Sequence, residues 1–202
     1  MSPTALRRAV AATMTASAAV PQFTLEMRAD VSHALALSEV AALSVEDIVI
    51  ASVGRTLPRH PRLNSSYIDK TGAINEHDEV NVGVAIAVED GIVAPAVCGA
   101  DRMLPTEIRA ERRRLINAAR TGALRPAELY SATFTVSNLG GHRIPRFRAL
   151  VIPPQAAILA VGALNKRNRL WLSLSVDHRV TDGVPAARFL TDLVDDIEGN
   201  HP

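Results

Sequence analysis

The chain has 202 residues, 48% of them hydrophobic, which is enough core for one domain of ordinary size or two small ones. Twenty-two basic residues against 21 acidic ones leave a net charge of +1, so charge offers no ground for a nucleic-acid or membrane-surface partner. Cys98 is the single cysteine, which excludes an intrachain disulfide and a cysteine-based metal cluster and agrees with a reducing cytoplasm.

Met1 to Val20 is alanine-rich with Arg7 and Arg8, without the continuous apolar core of a signal peptide, and no later stretch suggests a membrane span. The first predicted helix runs from Thr4 to Ala19 and stops before Val20-Pro21. Gln22 to Asp30 alternates as a strand does, with Phe23, Leu25 and Met27 on one side and Thr24, Glu26 and Arg28 on the other. A short helical piece is expected near Val31 to Val40. Ser44 and Asp47 form a capping-box pattern, opening a helix through Ile48, Val49 and Val53 toward Pro58. Leu63 to Asp69 and Ala73 to Glu76 flank Lys70-Thr71-Gly72 as a hairpin. Val80 to Val88 is apolar and β-branched and reads as one buried strand. After the Asp90-Gly91 turn, Ile92 to Val97 continues extended.

Leu104 to Thr121 is the clearest helix. Leu104, Ile108, Leu115, Ile116 and Ala119 make one apolar stripe, Pro105 suits the first turn and Gly122 the stop. Arg109, Arg112, Arg113 and Arg114 are then expected on a solvated face. Pro126 to Leu129 starts a short turn or helix. Thr133 to Ser137, Ala156 to Val161 and Leu170 to Val176 are further strands, and Pro185 to Ile197 is an amphipathic helix ended by Gly199. Helices and strands mix without regular alternation, so the fold class is α+β or mixed-sheet α/β. Cys98 reads as a small core residue. His33, His60, His77, His142 and His201 lack the spacing of a metal site.

Chemistry concentrates in Asp177 to Gly183. His178 and Asp182 stand four positions apart where a strand ends, a common place for catalytic side chains, and a neutral imidazole can accept a proton near pH 7. Alone, the pair fits an ordinary turn histidine better. It is preceded, however, by Thr133 to Gly141 and by Pro153 to Gly162. In this order and spacing the three segments resemble the catalytic domain of dihydrolipoyl acyltransferases, the core subunit of 2-oxoacid dehydrogenase complexes. Asn81 to Ala85 with Asp90 to Pro95, Leu63 to Tyr67, and Gly122 to Leu129 are similar to that family too, so the resemblance covers nearly the whole chain.

The resemblance implies a chloramphenicol-acetyltransferase-like fold, with residues 1–202 forming a single acyltransferase catalytic domain. It implies a homotrimer, alone or within a higher assembly, with active sites in channels between subunits. Coenzyme A enters such a channel from one end and a dihydrolipoyl arm from the other. In this match His178 is the general base that deprotonates the attacking thiol. Ser137, from the neighbouring subunit, donates to the tetrahedral oxyanion. Asp182 is tied to an arginine and holds the loop. Asn138, Gly140 and Asn64 are candidate coenzyme A contacts, although Asn138, Gly140 and Gly141 suit the shaping of a turn better than chemistry. The partners implied are a lipoyl domain and the 2-oxoacid dehydrogenase and dihydrolipoamide dehydrogenase subunits, in the cytoplasm. No metal, nucleic acid or membrane is expected.

The sequence also departs from the family. It contains no lipoyl domain, peripheral-subunit-binding domain or Ala/Pro-rich linker, which implies an excised core or a lipoyl group carried on another chain. Thr13 stands before Met14 where arginine is common, which leaves Arg7 or Arg8 as candidate partners of Asp182. Val31 to Ser44 and Asn165 to Leu170 are short. Glu198 to Pro202 lacks an apolar tail, which favours an isolated trimer or a weakened cage contact. The alternatives are a non-catalytic trimeric scaffold and a stand-alone acyltransferase with another acceptor; intact His178, Ser137 and Asp182 favour transfer. Acyl specificity stays open: Arg146 or Arg148 would suit a succinyl group if it faced the site.

Overall fold

A computed structural model describes residues 4–38 and 42–200. The end of the expected Val31 to Val40 helix, and His201 and Pro202, lie outside the described residues. In chain order come α1 (Ala5–Ala18), β1 (Gln22–Asp30), α2 (Ser32–Ser38), α3 (Val45–Thr56), β2 (Ser65–Ile68), β3 (Ala73–Glu76), β4 (Val82–Val84), β5 (Ile86–Val88), β6 (Gly91–Val93) and β7 (Ala96–Val97). These are followed by α4 (Pro105–Thr121), α5 (Pro126–Tyr130), β8 (Phe134–Asn138), β9 (Ala157–Val161), β10 (Arg169–Asp177) and α6 (Gly183–Glu198).

Six strands form a mixed sheet in the order β1-β10-β9-β8-β4-β7. The β9–β8 and β8–β4 pairs are parallel, and the other pairs antiparallel. Strand alternation divides this sheet into two chemically distinct faces. One carries Leu170, Leu172, Leu174 and Val176 of β10, paired with Ala29, Met27, Leu25 and Phe23 of β1. It continues through Leu159 and Val136 and is covered by α3 and α6, where Phe189 meets Phe134 at 5.7 Å between ring centroids. The other face carries Thr24, Glu26, Ser173, Ser175, Ile158, Ala160, Thr135 and Ser137. Thr24 and Ser175 share a 3.1 Å hydrogen bond there. A sheet with one apolar and one hydroxyl-rich face leaves the second free for chemistry.

Helix ends follow local sequence. Ser44 accepts from the Asp47 amide at 3.3 Å, and the Asp47 carboxylate accepts from the Ser44 amide at 2.8 Å. Gly122 ends α4 with φ of 69°, a left-handed conformation that costs glycine little.

Four expectations are corrected. Val80 to Val88 is not one strand. Ala85 still donates to the Val136 carbonyl, but the chain then leaves the main sheet and Ile86–Val88 pairs with Gly91–Val93 in a separate hairpin, against α4 and α1. Leu104 is 64% exposed, because it caps α4 with its backbone instead of joining the buried stripe of Ile108, Leu115 and Ala118. Arg112 is not on a solvated face. It binds the Asp47 carboxylate at 2.6 Å and Glu46 at 2.7 Å, tying α4 to the first turn of α3. Burial pushes both carboxyls up. Arg112 and Ser44 more than offset this at Asp47, while Glu46 stays above its ordinary value. Cys98 is exposed, its thiol 3.5 Å from the Ser131 hydroxyl.

Candidate functional site

His178 follows the last residue of β10, and its amide donates to the Pro21 carbonyl at 2.8 Å. Its ring tilts against Phe23, with centroids 4.7 Å apart. Nδ1 lies 3.5 Å from a carboxylate oxygen of Asp182, and about half of the side chain is exposed. A carboxylate at Nδ1 favours the tautomer with the proton there, which leaves Nε2 as the acceptor.

The expected arginine tie falls elsewhere. Asp182 is 83% exposed in its side chain and, among the described residues, has His178 as its partner rather than Arg7 or Arg8. The carboxylate that anchors this turn is Asp177, which is buried and held by Arg179 at 2.7 Å. Arg179 also binds Asp69 at 2.8 Å and lies 4.0 Å over the Tyr67 ring. Hydrogen bonds to Asp177 push the Arg179 guanidinium further above its ordinary value. The Asp-x-Arg spacing across His178 is the signal that marks this anchor in the sequence.

Ser137 sits near the end of β8 on the hydroxyl-rich face. It is half-buried, and its hydroxyl makes no hydrogen bond among the described residues. It opens into a groove of about 1270 Å³, walled by Leu6 and Met14 of α1, by Ile92, and by Phe147, Leu150 and Ile152. His178 does not line this groove. Register explains why: Ser137 pairs with Ala160, and Ala160 with Ser173, whereas His178 lies five residues beyond Ser173. Two strand spacings and five strand steps put the two residues roughly 19 Å apart within one chain. One chain therefore presents both groups but does not bring them together.

The other candidates are structural in their contacts. Both donors of the buried Asn64 amide go to the carbonyls of His77 and Glu79, at 2.9 and 3.0 Å, and its oxygen accepts from Thr133 at 2.6 Å. That amide makes its hydrogen bonds within the chain and holds the segment after β3 to Thr133. Asn138 accepts from the Gly140 amide at 2.8 Å and so shapes the turn after β8. A Cβ on Gly140 would stand 3.0 Å from the Gly162 carbonyl oxygen. The expectation missed Gln155, Ser66 and His77, which line the Ser137 groove; only Gln155 carried a signal, as the polar residue after the double proline.

Arg146 and Arg148 both reach Glu26, at 3.3 and 3.4 Å, and Arg146 also stacks on Trp171 at 5.0 Å. Burial pushes the Glu26 carboxyl up, and the two arginines outweigh it, so the group stays ionised and balances one of their two charges. No helix of the described residues is long and apolar enough to cross a membrane.

The 2-oxoacid dehydrogenases acyltransferase (catalytic domain) family model matches residues 1–201. The dihydrolipoyllysine-residue acetyltransferase component of the pyruvate dehydrogenase complex from Rickettsia bellii is 35% identical over 177 residues, covering 82% of this chain and 42% of that protein. The chain thus spans less than half the length of this curated relative. A truncated catalytic core of the 2-oxoacid dehydrogenase multienzyme complex from Thermoplasma acidophilum superposes with a TM-score of 0.93 at 29% identity, over 100% of this chain and 99% of that one. An Azotobacter vinelandii dihydrolipoamide acetyltransferase superposes with a TM-score of 0.92 at 28% identity, over 98% and 90% of the two chains. In that protein a serine, a histidine and an asparagine four positions after the histidine were investigated for their catalytic role. A chloramphenicol acetyltransferase shares the fold, with a TM-score of 0.59 at 13% identity, covering 93% of this chain and 92% of that one. By this match and these contacts, the chain belongs to the catalytic-domain family of the 2-oxoacid dehydrogenase acyltransferases.

Proposed function

We propose that this chain transfers an acyl group, most simply acetyl, between coenzyme A and a dihydrolipoyl arm. The observation that carries the reading is the separation of its two reactive groups. His178 is half-exposed with Nδ1 turned to Asp182, and the unengaged Ser137 hydroxyl opens into a different surface. Such halves become a site when copies of the chain meet, so a homotrimer with channels between subunits is part of the proposal.

A free thiol with pKa about 8.5 is mostly protonated at neutral pH. Nε2 of His178 takes that proton as the sulfur adds to the thioester carbonyl. The carbonyl oxygen becomes an oxyanion and receives the Ser137 O–H of the adjacent chain. Collapse expels the second thiolate, which recovers the proton from the imidazolium. Either thiol can attack, so the same groups serve both directions. The Azotobacter vinelandii acetyltransferase supports these roles, since its investigated histidine and asparagine have the spacing of His178 and Asp182. An amide in place of the carboxylate could still accept from Nδ1–H.

The Rickettsia bellii relative, an acetyltransferase component of the pyruvate dehydrogenase complex, favours acetyl as the acyl group. Arg146 and Arg148 share the one carboxylate of Glu26, which balances one of their two charges, and Arg148 lines the Ser137 groove, so succinyl-coenzyme A is the competing donor to assay. The lipoyl arm would come from a lipoyl domain. A 2-oxoacid dehydrogenase and dihydrolipoamide dehydrogenase would be the partner enzymes, acting in the cytoplasm. The test is transfer from acetyl-, isobutyryl- and succinyl-coenzyme A to free dihydrolipoamide. Acetyl transfer that His178→Ala abolishes is the expected result. Activity that survives His178→Ala would remove the base from this account, and absence of transfer from every donor would remove the reaction.

A further inference from the structure

We propose that Gln155 and Ser66 form a recognition point for a secondary amide inside the Ser137 groove, and that its ligand is the amide nearest the sulfur in the pantetheine arm of coenzyme A. This rests on the acyl-transfer reading above. Gln155 is 7% exposed and lines the groove. Thr135 Oγ1 lies 2.7 Å from Gln155 Oε1 and has no other acceptor among the described residues, so the threonine donates and fixes which end of the amide faces which way. The Gln155 amide nitrogen then makes no hydrogen bond among the described residues. That nitrogen is not among the buried polar atoms left without a partner, so it reaches the solvent of the groove, where a ligand oxygen can take the place of water.

The complementary acceptor is adjacent. Ser66 and Gln155 form an isolated antiparallel bridge, and Tyr67 N donates to the Pro154 carbonyl at 3.0 Å, which fixes the start of β2 beside Gln155. Ser66 Oγ lies 2.7 Å from His77 Nε2. Burial pushes the His77 imidazole toward its neutral form, which can accept the serine proton and leave the Ser66 lone pairs for an incoming N–H. A donor for a carbonyl and an acceptor for an N–H, side by side between apolar walls, match a secondary amide.

Position selects which amide. Thr135 and Ser137 share one face and stand one two-residue step apart, about 7 Å. With Ser137 at the thioester oxygen, the recognised amide must lie a short span away. In coenzyme A two methylenes separate the sulfur from the first amide nitrogen, whereas in dihydrolipoamide a longer carbon chain intervenes.

The experiment compares acetyl donors in transfer to dihydrolipoamide: acetyl-coenzyme A, the N-acetylcysteamine thioester of acetate, and S-butyl thioacetate, which lacks the amide. The unmodified protein should prefer the amide-bearing small donor over the butyl one by about tenfold in kcat/KM, the scale of one desolvated hydrogen bond. Gln155→Met, close in volume but without a donor, should remove that preference. It should lower kcat/KM for acetyl-coenzyme A and for the N-acetylcysteamine thioester by a similar factor more than it lowers that for the butyl thioester. Equal use of the two small donors by the unmodified protein would overturn this inference alone, whether or not the variant folds. So would a preference that persists in Gln155→Met. Transfer from no donor at all would overturn the acyl-transfer reading and this inference with it.

Discussion

Arg179 grips the buried carboxylate of Asp177 from both sides of its fork, with Nε 3.0 Å from one oxygen and Nη2 2.7 Å from the other. The same guanidinium reaches across to Asp69 and covers Tyr67. The end of β10 is thereby fastened to the β2–β3 hairpin, with His178 between the two residues of the clamp. A planar, two-pronged donor is suited to this, since it fixes orientation as well as charge.

Arg179→Met should therefore destabilise the chain by about 3–5 kcal/mol, because Asp177 stays buried without its cation. Urea unfolding reads the loss. Arg179→Lys should recover only part of it, since an ammonium cannot reproduce the fork. Full recovery by lysine would show that charge alone matters at this turn.

Asp182 should behave differently. Its side chain is 83% exposed, so Asp182→Ala should leave the melting temperature unchanged. An exposed ion contact contributes at most about 1 kcal/mol, so kcat should fall by less than about tenfold as the imidazole loses its preferred tautomer. Asp182→Asn should retain more activity than alanine, through its carbonyl. Parallel kinetics and melting curves of the two variants check this; equal losses of kcat would exclude a tautomer-setting role.

Glu128 makes the acid limb of stability testable. Hydrogen bonds from the Arg125 amide and guanidinium, with Arg114 adding a third, hold its carboxyl down at about 2. An unfolded glutamate titrates at about 4.3. The depressed value gives stability that is fully present above about pH 4.3 and lost as pH falls through about 2. Glu128→Gln should lower stability at neutral pH and flatten the curve across that window. Unfolding curves taken from pH 7 down to 2 check it; parallel slopes for the two proteins would contradict it.

Much of the fold was legible because the signals were local. Alternation from Phe23 to Asp30 and from Leu170 to Val176 named both the strands and the apolar face, and Ser44 with Asp47 marked where α3 begins. What was not legible depended on partners distant in sequence. Nothing near Arg112 announces that Glu46 and Asp47 lie across from it. Nothing within Val80 to Val88 says that β6 competes with the main sheet for its second half. In the candidate site the positions of His178 and Ser137 came from motifs. The open amide nitrogen of Gln155 needed the position of Thr135 to become visible, and the role of Asn64 in bonding the carbonyls of His77 and Glu79 needed the folded chain.

The central claim is that His178 of one chain works with Ser137 of another, and mixing two inactive variants tests it directly. His178→Ala chains and Ser137→Ala chains are unfolded together in equal amounts, refolded, and assayed for acetyl transfer to dihydrolipoamide. A site shared between chains draws its histidine and its serine independently, so roughly a quarter of the unmodified activity should return, well above either variant alone. Activity no higher than the sum of the two separate variants would contradict an intersubunit site.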